Sequence, residues 1–281
     1  MRELFKEAAK ITNYNLILIV PLIIFILVID LYSMFSRYSI DSNPKLLLAS
    51  ITILFMFGVF CAGWFYMVGE SIKLSKKVFV LDKDRAIASM NLFKCIPEGI
   101  GKFFLSFVGV YIIFFLIQIL ATPVVYLIGV KLIGGLDNAS LIQLQQMALD
   151  PSMSTDVGIA KFVDSLSMEQ ILFFAKWSLL FMAATSFFMY LLMLWIPEII
   201  YKTHNPFVAL YKSIVKLFKD FIHTFGIYIS LWLMGFLLLF LNTFAIFNPV
   251  AYMLVNMLLF YFFVYFVVLI FLYYDKKYGE E

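Results

Sequence analysis

The sequence has little charge for its length. Only 14% of its 281 residues are charged, whereas a soluble domain carries about a quarter. Apolar residues make up 64%, with 33 Phe and 16 Tyr, which is more than a soluble core of this size can bury. The net charge of +3 is too small to indicate a nucleic-acid partner. The composition therefore excludes a soluble globular protein and makes a lipid bilayer the expected solvent and partner.

Cysteine and histidine are scarce. Cys61 lies in an apolar run and Cys95 in a basic loop, so we expect them at different depths and unpaired. His204 and His223 have no carboxylate cluster at metal-ligand spacing. The motifs HExxH and GxSxG are absent, as is a glycine-rich phosphate loop followed by Lys-Ser/Thr. The sequence therefore predicts no metal, no cofactor and no catalytic residues.

Long apolar runs, in contrast, are abundant. A membrane-spanning helix needs about 20 apolar residues. Six runs meet that length, over 16–35, 46–69, 103–130, 177–196, 223–245 and 250–273. Pro21 and Pro123 lie inside runs, where neighbouring helices allow kinks rather than breaks. The predicted fold is all-α: a polytopic six-helix transmembrane bundle, forming a single integral membrane domain over 1–281.

Basic residues concentrate in alternate connections. They occupy the N-terminus, the segments after the second and fourth apolar runs, and the C-terminus: Arg2, Lys6, Lys10; Lys73, Lys76, Lys77, Lys83, Arg85, Lys94, Lys102; Lys202, Lys212, Lys216, Lys219; Lys276, Lys277. The intervening connections carry few. Because basic loops stay on the cytoplasmic side, this pattern predicts that both termini and two loops are cytoplasmic.

The stretch "NPFVALYKSIVKLFKDF", from Asn205 to Phe221, predicts an amphipathic helix. Asn205 suits the N-cap and Pro206 the first helical position. One face carries the apolar residues Phe207, Leu210, Tyr211, Ile214, Leu217, Phe218 and Phe221, and the opposite face carries Lys212, Lys216 and Lys219. We predict that the helix lies along the cytoplasmic headgroup boundary with its three lysines on anionic lipid. The alternative is a helix packed under the bundle with solvated lysines.

Glu198 closes the fourth apolar run. Pro197 is expected to disrupt or end the regular helix there, so the carboxylate could reach water or pair with Lys202 at i+4. Such an interfacial position is inexpensive and does not require a function. The other interpretation is a contact with a substrate or partner, because charges near membrane spans are enriched at functional sites.

Three further polar residues are candidate functional residues. Asp30 lies near the outer end of the first span, where one additional helical turn would bring it to the interface. Glu70 closes the second span. Gln118 lies in the third and could hydrogen-bond to a neighbouring helix.

A weak internal repeat relates 46–130 to 177–245. "NLFKCIPEGIGKFF" leads into the third span and "KLFKDFIHTFGIYI" into the fifth, sharing Leu-Phe-Lys and a glycine at the same offset. The two units would be parallel, related by an axis along the membrane normal. Chance identity in apolar sequence is the alternative.

The extracytoplasmic loop, 131–176, is predicted to contain two short helices over 139–149 and 157–166. Ser167 and Gln170 have the spacing of a capping box that leads into the fourth span. The loop is interpreted either as a structural cap on the bundle or as a lid over a binding site.

Spans separated by a segment of the form "ALYKSIVKLFKDF", after a span that ends in Pro-Glu, resemble a set of bacterial six-helix membrane proteins. The set includes the membrane domain of some glycerophosphodiester phosphodiesterases and YciC-like proteins. The resemblance implies a prokaryotic plasma membrane, that is, the cell inner membrane. It implies no specific chemistry, and no catalytic residues can be transferred to this chain.

Three classes of function remain. The first is a non-enzymatic multi-pass membrane protein that supports membrane organisation or a partner complex. The second is a transporter or channel for a small or lipidic substrate, using Asp30, Gln118 and Glu198. The third, an intramembrane enzyme, has too few acids, bases or ligands. A dry bundle favours the first class, and a polar cavity at the midplane favours the second.

Overall fold

The computed structural model describes residues 1–39, 43–135 and 166–279. These residues are 90% helical and include no strand. Within them lie ten α-helices: α1 (Arg2–Tyr14), α2 (Ile19–Ser39), α3 (Asn43–Ser75), α4 (Asp82–Met90), α5 (Cys95–Leu132), α6 (Met168–Leu192), α7 (Trp195–Tyr201), α8 (Pro206–Lys219), α9 (Phe221–Ala245) and α10 (Pro249–Tyr278). Short 3₁₀ helices, Leu16–Leu18 and Asn91–Lys94, precede α2 and α5.

In the described part of the chain, six helices are long and apolar enough to cross a membrane: α2, α3, α5, α6, α9 and α10. The prediction of an all-α polytopic bundle is confirmed, and the chain is an integral multi-pass membrane protein. Several helices extend beyond their apolar runs, because charged residues at helix ends can remain in water while the backbone stays helical. Thus α3 continues to Ser75 and α5 begins at Cys95.

The prolines mark both continuous and interrupted helix. Helix α5 continues through Pro123, as expected, whereas Pro21 lies in the first turn of α2, just after the 3₁₀ turn Leu16–Leu18. The regular helix is interrupted near Pro197, as expected, but the break lies one turn before the proline. Helix α6 ends at Leu192, and Pro197 lies in the first turn of α7. A proline ring clashes with the carbonyl four residues before it, here that of Met193, so the chain turns before the proline.

The start of α6 also follows its prediction. The Ser167 amide donates to Gln170 Oε1 at 2.9 Å, and the Gln170 amide donates to Ser167 Oγ at 3.2 Å. This reciprocal pair is the predicted capping box. The two predicted loop helices, over 139–149 and 157–166, lie outside the described residues apart from Leu166.

The chain forms two compact units. Unit 1 comprises Met1–Ile113 and Tyr190–Glu281. Its central element is α10, which packs against α1, α2, α3, α7 and α9. Nearly every side chain from Val264 to Tyr274 is buried, as expected for a helix that is apolar on all sides.

The N-terminal helix α1 lies against α10 instead of projecting from the bundle. Tyr261 donates a hydrogen bond to Asn13 Oδ1 at 2.6 Å, and Lys276 pairs with Glu7. The indole of Trp64 donates to the Leu18 carbonyl at 2.8 Å, where the 3₁₀ turn joins α1 to α2. We call the part of unit 1 that carries α1, residues 76–94, α7 and α8 the basic end.

Unit 2 comprises Phe114–Met189. Its described part contains the second half of α5 and most of α6. Trp177 stacks on Tyr126 at 5.7 Å between ring centroids and lies against the backbone of Gly129. A Cβ at Gly129 would lie 2.3 Å from the Trp177 ring, so glycine is what lets the indole approach α5.

Candidate functional site

Helix α8 begins as the sequence predicts. Asn205 Oδ1 accepts hydrogen bonds from the amides of Phe207, at 3.0 Å, and Val208, at 3.2 Å. Pro206 occupies the first helical position, where an amide hydrogen would have no intrahelical acceptor. These local contacts fix where the helix starts.

Side chains of the bundle hold that start in place. Trp195 donates its indole N–H to the Pro206 carbonyl at 2.8 Å, and Ser106 Oγ donates to the His204 carbonyl at 2.6 Å. The Pro206 ring lies directly on Gly109, where a Cβ would be 2.6 Å from Pro206 Cγ. The N-terminal end of α8 is therefore attached to α5 and α7 by groups that leave little freedom of position.

Helix α8 presents three faces instead of the predicted two. Ala209, Ser213 and Leu217 form a buried stripe against the protein. The aromatic residues of the second face, Phe207, Tyr211 and Phe218, are exposed. Lys212 and Lys219 form the third face and are also exposed. The predicted seven-residue apolar face is thus divided, because Leu217 packs inward while the aromatic residues point outward.

The third lysine of α8 points into the protein. Lys216 Nζ lies 2.7 Å from Glu198 Oε2, and their side chains are 17% and 1% exposed. Tyr274 donates its hydroxyl hydrogen to the same carboxylate oxygen, and Lys216 also donates to the Tyr274 oxygen at 2.7 Å. We call Glu198, Lys216 and Tyr274 the buried triad. Lys216 is consequently occupied, so this orientation does not serve the lipid contact predicted for it.

The predicted pairing of Glu198 with Lys202 is wrong. Lys202 donates to the Gly279 carbonyl at 3.2 Å, while Glu198 faces inward. The small side chains of Ala209 and Ser213 let α8 approach closely, so that Lys216, from the next helix, reaches the carboxylate instead. The expectation of an exposed interfacial glutamate is wrong for the same reason.

The rings around Lys216 complete its surroundings. Its ammonium lies 4.8 Å from the Tyr274 ring centroid and 5.0 Å from that of Tyr278. Tyr278 in turn donates its hydroxyl to the Lys216 carbonyl at 3.1 Å. Aromatic faces stabilise a desolvated cation, so the two tyrosine rings compensate for part of the hydration that the lysine loses on burial. The triad therefore joins α7, α8 and α10 through one charged centre.

The chemistry open to the buried triad is limited by its own contacts. Oε2 of Glu198 already accepts from two donors, and the carboxylate is almost completely buried. Within the described residues, Oε1 of Glu198 is buried with no hydrogen-bond partner. Because that oxygen is buried, a ligand could reach it only if the surrounding helices moved apart. The arrangement is suited to holding helices together.

Two further ion pairs surround the triad. Lys76, just after α3, lies 2.7 Å from Asp275 Oδ2 on α10. Asp220, between α8 and α9, meets Lys277 at 2.7 Å, His223 Nδ1 at 2.8 Å and the Tyr273 hydroxyl. Burial alone would raise the pKa of Asp220, but these hydrogen bonds outweigh burial and lower that pKa to about 2. Asp220 therefore remains ionised at neutral pH.

A second triad of the same composition is much more exposed. Glu98 Oε1 accepts from Lys102 at 2.5 Å and from the Tyr66 hydroxyl at 2.9 Å. Lys102 lies 5.2 Å from the Tyr66 ring centroid. Both glutamates follow Ile-Pro, at 96–98 and 196–198, but Glu98 and Lys102 are half-exposed. This exposed triad is a natural control for the buried one.

The other predicted site residues do not join the triad. Glu70 pairs with Lys73 at 2.7 Å, and Gln118 is exposed on α5 within unit 2.

Asp30 is exposed on α2 and lines an apolar cavity of about 330 Å³ together with Phe263. Phe263 and Tyr274 are eleven residues apart on α10, or roughly 16 Å. Asp30 and Glu198 therefore belong to different places in unit 1.

Helix α2 continues nine residues beyond Asp30, to Ser39. The position of Asp30 relative to the membrane interface stays a prediction.

Cys61 and Cys95 are both free thiols, so the prediction that they are unpaired is confirmed.

Sequence reasoning missed Tyr274, Asp220 and Asp275. One signal was present in α8: Ala209 and Ser213, four residues apart, form a stripe of small side chains beside Lys216. Such a stripe indicates a close helix contact and so a buried neighbour. The tyrosines and the aspartate at the end of the sixth span give no comparable signal, because these residue types are common at any membrane interface.

Comparison of the chain with protein-family models, curated proteins and solved structures finds no match in any of the three. The resemblance to bacterial six-helix membrane proteins thus stays a prediction.

Proposed function

We propose that this chain is a non-enzymatic multi-pass membrane protein that supports membrane organisation or a partner complex, with α8 as its contact element. The observation that carries the proposal is the buried triad. It holds α8 through Lys216, while Phe207, Tyr211 and Phe218 point away from the protein. A fixed helix with an unshared aromatic face is suited to contact with lipid or with another membrane protein.

The charges on α8 favour a surface facing anionic lipid. Lys212 and Lys219 are exposed beside the aromatic face, so a single orientation places aromatics in the headgroup boundary and lysines toward phosphate. Each lysine near an anionic surface contributes about 1 kcal/mol, an effect that salt screens. Lipid contact is therefore assigned to Lys212 and Lys219 alone.

Two cavities of the described residues at the level of the spans favour an organising role over conduction. One, of about 390 Å³, is lined by residues such as Phe25, Phe55 and Ile100, and the other, of about 330 Å³, by Phe57, Phe65 and Asp30. Both linings are almost entirely apolar. The buried ion pairs lie instead at the basic end.

Affinity purification of the full chain from native membranes tests the proposal. Wild type is expected to retain a partner protein or an enriched anionic lipid. Replacing Phe207, Tyr211 and Phe218 by Ser should remove either one, because the contact surface is lost while the triad remains. Replacing Lys212 and Lys219 by Gln should reduce only lipid enrichment. If wild type retains neither a partner nor enriched lipid, the organising role is wrong.

A specific observation favours transport of a lipidic substrate as the second candidate. Asp30 is a carboxylate at the edge of an apolar cavity between α2, α3 and α10. Such a cavity could hold the acyl chain of a cationic lipid, with the cationic headgroup of that lipid next to the Asp30 carboxylate. In liposomes, Asp30→Asn should abolish movement of a fluorescent cationic lipid, whereas Glu70→Gln should not. Equal movement with and without wild-type protein would eliminate this candidate.

A further inference from the structure

A separate cavity opens at the basic end, away from α8. It has a volume of about 200 Å³ and lies between α1, the end of α3, the following connector and α4. Its wall includes Lys10, Tyr14, Asn15, Ser75, Phe79 and Arg85. Ser89 Oγ on α4 meets Asn15 Oδ1 at 2.9 Å and the Tyr14 carbonyl at 3.2 Å. These hydrogen bonds attach α4 to α1, so the walls of the cavity are fixed relative to each other.

Two cations face this cavity. The Arg85 guanidinium lies 4.0 Å from the Tyr14 ring centroid and 5.6 Å from that of Phe79. Lys10 Nζ lies 5.9 Å from the Tyr14 ring centroid. In the ranges that the structure describes, neither Lys10 nor Arg85 has a carboxylate within ion-pair distance. Stacking on an aromatic face orients a guanidinium while its N–H edge stays available to an anion.

One carboxylate also lines the cavity, but it is already neutralised. Glu7 is paired with Lys276 of α10. The lining therefore keeps two positive charges without a compensating negative one. An oxyanion with several acceptor oxygens matches such a pair, because Arg supplies a planar fork and Lys a point charge.

The connector that forms one wall carries an exposed apolar tip. Val78 and Val80 are each 94% exposed, and Leu81 is exposed beside them, while Phe79 turns toward the cavity. Lys77 and Lys83 flank the tip. Valines exposed to this extent next to basic residues are typical of a segment that enters the headgroup boundary of a membrane. The cavity thus has an apolar surface at its side that suits acyl chains.

We propose that this cavity binds the phosphate group of an anionic phospholipid, with Arg85 and Lys10 on the phosphate oxygens and the acyl chains beside Val78 and Val80. The volume of about 200 Å³ is below the roughly 300–1,000 Å³ of whole small-molecule pockets, which suits a headgroup whose chains remain outside. The site shares no residue with α8 and does not rest on the proposed function.

Isothermal titration of the full chain in uncharged detergent tests the site. The probes are short-chain phosphatidylglycerol, short-chain phosphatidylcholine and inorganic phosphate. Phosphatidylglycerol is expected to bind saturably, and the other two at least about tenfold more weakly, because one lacks net charge and the other lacks acyl chains. If inorganic phosphate binds as tightly as phosphatidylglycerol, the ligand is free phosphate and the lipid assignment is overturned.

Charge-matched variants separate the cavity from diffuse surface charge. Arg85→Gln and Lys10→Gln should each weaken phosphatidylglycerol binding about tenfold, whereas Lys94→Gln, exposed on the 3₁₀ helix that follows α4 and outside the cavity lining, should change it less than about twofold. Lys10 is exposed, so its substitution tests the site even if Arg85→Gln does not fold. Equal losses in all three variants, or no loss in the first two, would overturn the site. Lys212→Gln with Lys219→Gln should leave this affinity unchanged, which separates it from the α8 surface.

Discussion

At the scale of single residues, the orientation of Lys216 decides how α8 relates to the rest of the protein. A lysine directed outward would be one of three equivalent charges on a surface helix. Directed inward, it compensates a glutamate that is 1% exposed and connects α7, α8 and α10. The net stabilisation from a buried ion pair is small, but the loss of one partner leaves a desolvated charge, which is costly.

Removing either charge of the buried triad should therefore be harmful, and removing both should be less harmful than the sum. We expect Lys216→Met to lower stability by about 3–5 kcal/mol, because Glu198 remains buried without a cation. Glu198→Gln together with Lys216→Met should recover part of that loss. Thermal unfolding in detergent measures both. Glu98→Gln in the exposed triad is the control and should change the midpoint little. Strictly additive losses would contradict the pairing.

Asp220 makes stability depend on pH in a defined window. Its pKa falls from an ordinary 3.8 to about 2, so its contribution is complete above pH 4 and is lost as the pH falls toward 2. Because solvent screens part of this site, we take roughly 2 kcal/mol as its upper limit. The midpoint difference between wild type and Asp220→Asn should shrink as the pH falls below 4 toward 2.

At the scale of elements, the beginning of α8 could be predicted and its orientation could not. The N-cap of Asn205 and the proline that follows depend only on neighbouring residues, so the sequence specifies them. Which side of α8 is buried depends on what it meets, namely Gly109, Trp195 and Glu198, and these lie elsewhere in the chain. An apolar face by itself does not distinguish lipid from protein as its neighbour.

The contact between α5 and α8 gives an element-scale prediction. Gly109→Ala should displace the start of α8, since its Cβ would lie 2.6 Å from the rigid Pro206 ring. We expect faster proteolysis near Asn205 and a lower thermal midpoint. Gly101→Ala, on the same helix but with no atom within 4 Å of the added Cβ, is the matched control. It should be neutral or slightly stabilising, because Ala favours helix over Gly. Similar proteolysis of both variants would count against the close contact.

At the scale of the whole molecule, the six spans could be predicted because composition alone specifies a membrane segment. The packing partners of each span could not be predicted, because the sequence of a helix that is apolar on all sides does not indicate which other helix it contacts. The pairs Glu7 with Lys276 and Asn13 with Tyr261 join opposite ends of the chain. That α1 forms a separate helix on α10 was likewise missed, because its few apolar residues gave only a short amphipathic pattern.

Orientation in the membrane remains a whole-molecule prediction. Single cysteines at Phe247 and at Lys212, in a background with Cys61→Ser and Cys95→Ser, should react with an impermeant maleimide from opposite sides. Phe247 is 87% exposed in the turn between α9 and α10, and Lys212 is exposed on α8. The alternation of basic connections places Lys212 inside and residue 247 outside. Labelling of both from one side would overturn the six-span topology.

The buried triad also has a consequence for biosynthesis. A ribosome makes Glu198 before Lys216, which follows 18 residues later, and long before Tyr274, which follows 76 residues later. Helix α1 is made earlier still and cannot dock until α10 is synthesised, because its contacts Tyr261 and Lys276 belong to α10. The nascent protein therefore carries an incompletely compensated carboxylate and an undocked first helix until α10 emerges. Membrane quality control acting on unpaired polar groups should recognise any chain in which synthesis stops before that helix.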